Sequence, residues 1–184
     1  VADNEYKGLI GLDSLVDFYK RLKELEETFD KPHLLGCIIT EGGTAPNIVP
    51  DRATLKATVR ALDTDYLEDV MLPQIKELAA EVAKDHHTPV ETEHYEPLYK
   101  NMINNAALNV YFIEAFNALH EEFGVYEEED AEGSTDVGNV SHVTRAAQPE
   151  IAIGYHINAH TPEFATAANS DFAYIQALTG AKAM

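Results

Sequence analysis

Two side chains, Asn47 and Arg60, lie where they could bind a carboxylate. Asn47 follows Pro46 and precedes Pro50, whose fixed φ angles stiffen the loop, and its amide carries two donors and one acceptor. Arg60 lies on the polar side of an alternating segment, and a guanidinium can hold a carboxylate through two parallel hydrogen bonds. The pattern predicts two groups that meet a carboxylate. The alternative is a hairpin connection beside an ordinary surface arginine.

A second candidate site is the run Gly133, Ser134, Thr135 and Asp136, followed by Gly138. Small residues let backbone N–H groups approach a ligand, and hydroxyl groups add further donors. Loops of this composition are common, so the run alone indicates no particular ligand.

The third candidate is a metal-binding histidine. His156 and His160 are four residues apart and could share a metal on a helix, but Asn158 and Pro162 disfavour a helix here. His160 is therefore the better candidate for a single metal ligand. The alternative is a histidine that orders its own loop.

A complete hydrolytic metal site is not predicted. Such a site needs three or more protein ligands and a base carboxylate. The sequence has no H-x-D motif, no H-E-x-x-H motif and no paired cysteines, and it has no P-loop, no nucleophile elbow and no G-x-G-x-x-G motif. We therefore expect the catalytic apparatus to be incomplete.

Composition and charge narrow the class of protein. Apolar residues make up 45% of the 184 residues, and no apolar run approaches the roughly 20 residues that cross a bilayer. The formal charge of −19 opposes binding to nucleic acid or to an anionic membrane. The single cysteine, Cys37, lies in an apolar run, so we expect a buried, unreactive thiol and a cytoplasmic protein.

Hydrophobic periodicity predicts an α+β fold. In the first half we expect a helix, two strands, a helix and a third strand, at residues 12–29, 34–41, 53–61, 64–82 and 89–96. One further strand ahead of the first helix would complete a ferredoxin-like βαββαβ sheet, but the sequence shows no such strand. In the second half we expect a helix at residues 106–123, closed by Gly124, with Val110 and Tyr111 among its buried residues. We also expect a helix at 169–179 with Phe172, Ile175 and Leu178 facing inward, a strand at 150–154, and a solvated acidic loop around 127–132.

Two details of the second helix are also predicted. Asp65 and Glu68 have the spacing of a capping box. Pro73 lies inside the helical pattern and cannot donate a backbone hydrogen bond, so we expect a kink or a break near Leu72.

Two separated motifs resemble a known family. GGTAPNIVPDRATLKATVRA resembles the lid-domain segment of the zinc metallopeptidase and amidohydrolase superfamily that includes carboxypeptidase G and aminoacylase. GSTDVGNVSHV followed by HTPEF is most similar to the aminobenzoyl-glutamate hydrolase branch of that superfamily. The resemblance covers residues 8–184.

The resemblance implies two domains and a longer protein. Residues 8–97 would be a ferredoxin-like lid and dimerisation domain without its first strand, and residues 98–184 the C-terminal part of the catalytic domain. Proteins of the family are about twice this length, and their H-x-D motif, bridging aspartate and Glu-Glu pair have no counterpart here. We therefore expect a fragment that is inactive alone, with a dimerising, non-catalytic module or a compact protein of new fold as alternatives.

The resemblance also implies roles for the candidate residues. Asn47 would face the substrate near the scissile bond, and Arg60 would hold the carboxylate of the substrate. His160 would be one ligand of a two-metal site for zinc or manganese, and Gly133, Ser134, Thr135 and Asp136 would line the substrate pocket. The implied activity is metal-dependent hydrolysis of an amide bond in an N-acyl or aminobenzoyl amino acid or dipeptide, by a homodimer joined through the lid.

Overall fold

A computed structural model describes residues 11–119 and 133–184 of the chain. The chain divides into two compact units, Val1–Leu98 and Tyr99–Met184. No helix among the described residues has both the length and the apolar character needed to span a membrane. The roles expected for residues 8–97 and 98–184 stay predictions.

The first unit contains four of the five expected elements in the expected order. Its helices and strands are α1 (Gly11–Glu26), β1 (His33–Glu41), β2 (Thr54–Ala61), α2 (Thr64–Tyr66), a π-helical turn (Leu67–Met71) and α3 (Leu72–Asp85). Helices and an antiparallel two-stranded sheet together confirm the α+β class.

The two strands pair as an antiparallel ladder whose two faces differ. The register runs from His33 opposite Ala61 to Ile39 opposite Leu55, with an irregularity before Glu41. Along β2, Leu55, Ala57, Val59 and Ala61 are partly buried, whereas Lys56, Thr58 and Arg60 are exposed. This alternation confirms the predicted strand with one buried face.

The core of the first unit lies between the inner face of the sheet and the helices. Leu22 of α1 and Met71 of the π-helical turn are fully buried. Four further buried side chains complete this cluster: Phe29, Leu35, Tyr66 and Leu67. The apolar faces predicted for both helices therefore meet in one core.

The N-cap and the π-helical turn of the second helical segment each follow from nearby residues. Its N-cap is Asp63, whose carboxylate accepts from the backbone N of Tyr66 at 3.1 Å, so the capping box predicted at Asp65 and Glu68 is wrong. The segment starts two residues earlier than that pattern placed it. The irregularity predicted near Leu72 is confirmed, because the π-helical turn ends immediately before it. Pro73 has no N–H to continue regular α-helical hydrogen bonding there.

The third strand predicted at residues 89–96 is not present. These residues have no strand hydrogen bonding, and the sheet in the described part of the chain has two strands. A strand needs a neighbour to satisfy its backbone, and the last strand of a ferredoxin-like sheet pairs with the first. Within residues 11–119 and 133–184 the segment has no strand beside it to pair with.

An ion-pair cluster, formed by Asp17, Arg21, Asp85 and His86, joins α1 to the end of α3. Arg21 lies 2.8 Å from Asp17 and 2.8 Å from Asp85, and the Nε2 atom of His86 is 2.9 Å from Asp17. Hydrogen bonds to His86 and Arg21 hold the pKa of the Asp17 carboxyl below its ordinary value. The ionised carboxylate therefore favours the folded state.

Replacing Asp17 by asparagine is expected to lower the melting temperature at neutral pH by a small amount, because these contacts are partly exposed. A carboxyl group whose pKa is depressed by folding stabilises above its unfolded pKa, and that stabilisation is lost as the pH falls through the folded pKa. Wild-type and Asp17→Asn melting temperatures should therefore converge in acid. Calorimetry across this pH range measures the difference.

Glu24→Gln is the matched control, since Glu24 is exposed on the same helix and has no hydrogen bond or ion pair with the described residues. It should leave the melting temperature unchanged. A difference between wild type and Asp17→Asn that persists unchanged at low pH would show that the cluster does not act through the charge of Asp17.

The second unit is helical in its described part. Its elements are α4 (Ala106–Ala118), α5 (Val137–Ser141), α6 (Pro162–Ala168) and α7 (Asp171–Ala183). Asn105, Thr161 and Ser170 cap α4, α6 and α7 by accepting a backbone N–H. The end predicted for the first of these helices, including Gly124, and the acidic run around 127–132 lie outside the described residues.

Three predictions for the second unit are wrong. Residues 150–154 form no strand. On α7, Phe172, Ile175 and Leu178 were expected to face inward but are 36%, 61% and 63% exposed, while Ala173 and Thr179 are buried. On α4 the buried residue is Phe116, and the expected Val110 and Tyr111 are exposed. Both helices are apolar around most of their circumference, so periodicity cannot identify an inner face.

Candidate functional site

Arg60 lies near the end of β2 on the outer face of the sheet. It is exposed and stands opposite Leu34 in the register. No ion pair or hydrogen bond of its guanidinium is found within residues 11–119 and 133–184. This cation is therefore available to bind an anion from outside the described residues.

Asn47 lies in the loop that joins the two strands. The backbone N of Ile48 donates to Ala45 O at 3.1 Å, and that of Gly11 donates to Pro50 O at 3.2 Å, which ties the loop to the start of α1. Gly43 has φ of +119°, and a Cβ there would be 2.8 Å from Pro50. The sequence therefore builds a constrained loop that presents Asn47, whose side chain is exposed.

Asn47 and Arg60 lie in different elements, the loop before β2 and β2 itself. Asn47 precedes the first residue of β2, whereas Arg60 is six residues beyond that residue. At about 3.3 Å per residue, the strand alone separates its two ends by about 20 Å. Joint binding of one carboxylate by Asn47 and Arg60 stays a prediction.

A shallow groove of about 410 Å³ is lined by residues that precede and follow Asn47 in the chain. Its walls include Leu12, Gly42, Pro46 and Ile48, so it is mainly apolar. It can accept an apolar group, although Asn47 itself is not one of its lining residues. The sequence could have indicated it only through the two glycines and two prolines of the loop.

The run from Gly133 to Asp136 leads directly into α5. Thr135 Oγ1 accepts from the backbone N of Val137 at 3.3 Å, and Thr135 O accepts from the backbone N of Gly138 at 3.1 Å. Ser134 is exposed and Thr135 is partly buried. The run is therefore an ordered turn with an exposed hydroxyl, rather than an open loop.

Residues just beyond this run hold it in place, and sequence analysis did not single them out. A Cβ at Gly138 would lie 2.1 Å from Lys100 O, so only glycine fits. Asn139 Oδ1 accepts from the backbone N of Lys100 at 2.9 Å, and Ser141 Oγ accepts from the backbone N of Ile103 at 2.9 Å. The one signal for this anchoring was Gly138 inside a short helical segment.

His160 lies immediately before α6 and is exposed. Its φ is 62°, and that of His156 is 56°, a left-handed conformation that non-glycine residues adopt rarely. The two histidines do not share a helix, as predicted. Among the described residues, no group of three His, Cys, Asp or Glu side chains could hold a metal ion. His160 alone does not fit a two-metal site.

The thiol of Cys37 is partly buried on the inner face of β1. Burial raises the pKa of this thiol, which keeps it protonated and poorly nucleophilic. This agrees with the prediction of an unreactive cysteine.

Comparison with known proteins assigns the first unit. Residues 12–87 match the M20 peptidase dimerisation domain. This segment contains both Asn47 and Arg60. M20 peptidases are generally metal-dependent, usually with zinc.

Two curated relatives extend the similarity over the second unit. The Xaa-Arg dipeptidase of Mus musculus is 32% identical over 186 residues, which cover 97% of this chain and 42% of that protein. The Xaa-Arg dipeptidase of Homo sapiens is 30% identical and is covered to the same 42%. The chain spans about two fifths of the length of these relatives. Together the matches support the peptidase superfamily that the two motifs resemble, and a peptidase-family hydrolase.

Proposed function

We propose that the chain is part of a metal-dependent amidohydrolase that cleaves the amide bond of an N-acyl or aminobenzoyl amino acid or of a dipeptide. The observation that carries this proposal is an exposed Arg60, unpaired among the residues that the structure describes, within the segment that matches the peptidase dimerisation domain. A guanidinium held on a strand is suited to bidentate binding of a substrate carboxylate. The dipeptidase names of the relatives support a small peptide-like substrate.

The proposal gives each candidate residue a separate task. Arg60, near the end of β2, binds the carboxylate. Asn47 supplies an amide from the loop whose neighbouring residues line the apolar groove, and Gly133, Ser134, Thr135 and Asp136 line the substrate pocket. His160 is one metal ligand for zinc or manganese. The remaining ligands and the base carboxylate would come from a longer protein, so we expect this chain to be inactive alone.

The proposal extends to the roles of the two domains, the binding partners and the cellular location. We propose that residues 8–97 form a ferredoxin-like lid and that residues 98–184 belong to the catalytic domain, within the aminobenzoyl-glutamate hydrolase branch of the superfamily. The charge of −19 supports a protein that binds neither nucleic acid nor membranes. The partly buried thiol of Cys37 supports a cytoplasmic location.

A hydrolysis panel tests the proposed activity. The full-length gene product, supplied with zinc or manganese, should hydrolyse at least one of aminobenzoyl-glutamate, N-acyl amino acids and Xaa-Arg dipeptides. The same assay on the 184-residue chain should give no turnover. Activity of the short chain would show that the proposed division of the metal site is wrong.

The second proposed function is dimerisation through α1 and β1. The family match names this role for residues 12–87, and β1 exposes Leu34, Ile38 and Ile39 by 54%, 64% and 42%. An exposed apolar strand at a sheet edge favours pairing with a second chain. As an alternative to the catalytic proposal, the chain could act by dimerisation alone.

Light scattering is expected to give twice the monomer mass of 20.3 kDa. Ile38→Lys should shift the equilibrium toward monomer, because it places a charge on the apolar strand. Ile48→Lys is the control, since Ile48 is similarly exposed but lies in the loop. A monomer at high micromolar concentration would contradict the proposal.

A further inference from the structure

The outer face of β2 carries a row of three polar side chains, Lys56, Thr58 and Arg60. A tyrosine from another segment contacts Thr58. Tyr95 belongs to the irregular segment 89–96 that follows α3. Its hydroxyl oxygen is 3.3 Å from Thr58 Oγ1, and it also donates to Ala57 O at 3.5 Å. Tyr95 therefore rests on the strand that carries the proposed carboxylate-binding arginine.

Lys56 is held by the same tyrosine. Its Nζ atom lies 5.3 Å from the centre of the Tyr95 ring, within the range of a cation–π contact. Lys56 and Arg60 are four residues apart on one face of the strand, which places their Cα atoms about 13 Å apart. Both side chains are long enough to approach a ligand above Thr58, which lies between them.

Lys56 makes no ion pair with the described residues around it. The strand residues opposite Lys56, Thr58 and Arg60 are Ile38, Gly36 and Leu34, and none carries a charge. Glu91, Glu93 and Glu96 share the segment of Tyr95 but are exposed, and no ion pair joins them to Lys56 within the described part of the chain. In a protein with a formal charge of −19, Lys56 and Arg60 therefore form a cationic strip on this face, with the Glu41 carboxylate beyond its end, 3.2 Å from the Thr54 hydroxyl.

We propose that Lys56, positioned by Tyr95, determines specificity by favouring a substrate with a second anionic group beside the carboxylate held by Arg60. This inference rests on the proposed function, since it uses Arg60 as the carboxylate site. An anionic side chain would meet the Lys56 ammonium and the hydroxyl groups of Thr58 and Tyr95. A cationic side chain would meet two like charges and would be disfavoured.

The motifs resemble those of aminobenzoyl-glutamate hydrolases, whereas the relatives are named Xaa-Arg dipeptidases. The proposal distinguishes these two substrate types. A substrate ending in an acidic residue fits the strip, whereas one ending in arginine places its guanidinium near Lys56. For partly exposed charges the difference should be modest, about three- to fivefold in affinity between an acidic ligand and its neutral amide.

Binding to the 184-residue chain tests the inference without requiring hydrolysis. N-acetylglutamate, N-acetylglutamine and N-acetylarginine are titrated while the backbone amide signals of β2 are followed by NMR. N-acetylglutamate should bind about three- to fivefold more tightly than N-acetylglutamine, and N-acetylarginine should bind most weakly. Lys56→Met, which keeps the apolar stem, should make the first two affinities equal without weakening N-acetylglutamine.

Two controls define the roles of the pair. Lys76→Met removes an exposed lysine of α3 and should leave the preference intact. Tyr95→Phe keeps the ring and should retain most of the preference, whereas Tyr95→Leu should lose it. A merely structural role of Tyr95 would instead change all three affinities together.

The outcomes distinguish this inference from the proposed function. Equal binding of the acidic and neutral ligands to wild type, an unchanged ratio in Lys56→Met, or no shift of β2 signals would overturn it. If the full-length gene product hydrolyses amides but the short chain shows no acidic preference, the proposed function stands and the inference fails. If the preference is present and no amide is hydrolysed, the anion site stands and the proposed function fails.

Discussion

Arg60→Ala is expected to lower kcat/KM of the full-length gene product about a hundredfold or more on every carboxylate-bearing substrate. Removing one partner of a desolvated charge pair costs roughly 2–5 kcal/mol, and the lost contacts include two charge-assisted hydrogen bonds. Arg60→Lys should recover only part of the activity, because an ammonium cannot make the bidentate contact. Steady-state kinetics on the same substrate measures each variant.

Stability and a neighbouring arginine provide the controls for this result. Arg60 is exposed and has no ion pair within residues 11–119 and 133–184, so the melting temperature of Arg60→Ala should match wild type. Arg52→Ala removes another exposed arginine of the same unit, 3.8 Å from Glu41, and should leave kcat/KM unchanged. Equal losses in Arg52→Ala and Arg60→Ala would point to general electrostatics rather than to a carboxylate clamp.

His160→Ala is expected to reduce the metal content of the full-length gene product and to abolish most of its activity. Loss of one ligand weakens a site that needs three or more, and the drop in kcat should reach about a thousandfold, as for other disabled catalytic groups. Metal content after dialysis, measured by mass spectrometry, gives a readout that does not depend on turnover. Zinc-induced thermal stabilisation should fall in parallel.

His156→Ala is the matched control for His160→Ala. Both histidines are exposed and both adopt a left-handed backbone, with φ of 56° and 62°, so the backbone effect of alanine should be similar at the two positions. Only His160→Ala should lose metal. Unchanged metal content in His160→Ala would remove His160 from the metal site and favour its interpretation as a loop-ordering residue.

Elements with one buried face could be predicted from the sequence. In β2 the side chains from Leu55 to Ala61 alternate between partly buried and exposed, and in α1 the apolar residues recur on one side of the helix. In both cases one physical constraint, burial of one face, produces a regular pattern. The exposed position of Arg60 followed from that pattern.

Other features depended on contacts that no local pattern contains. Residues 89–96 have strand-forming side chains, but a strand also needs a neighbour to pair with, which these residues lack in the described part of the chain. The inner face of α7 could not be predicted, because apolar side chains surround the helix. The cap at Asp63 was missed because a second acidic residue two positions later offered a familiar spacing.

The candidate site was predicted residue by residue but not as an arrangement. Sequence spacing suggested that Asn47 and Arg60 act on one carboxylate, and the structure places Asn47 in the loop before β2 and Arg60 near the end of that strand. The contact of Tyr95 with Thr58 joins residues 37 positions apart. Such long-range contacts depend on the tertiary fold, and they are what turns a single arginine into a cationic strip.

The most direct test of the proposed function is metal-dependent hydrolysis by the full-length gene product. With zinc or manganese present, release of a free amino acid from an N-acyl amino acid, aminobenzoyl-glutamate or an Xaa-Arg dipeptide should be readily measurable. It should stop on addition of a chelator and return when metal is restored. Turnover that persists unchanged with chelator, or no turnover on any substrate of the panel, would contradict the proposal that this chain is part of a metal-dependent amidohydrolase.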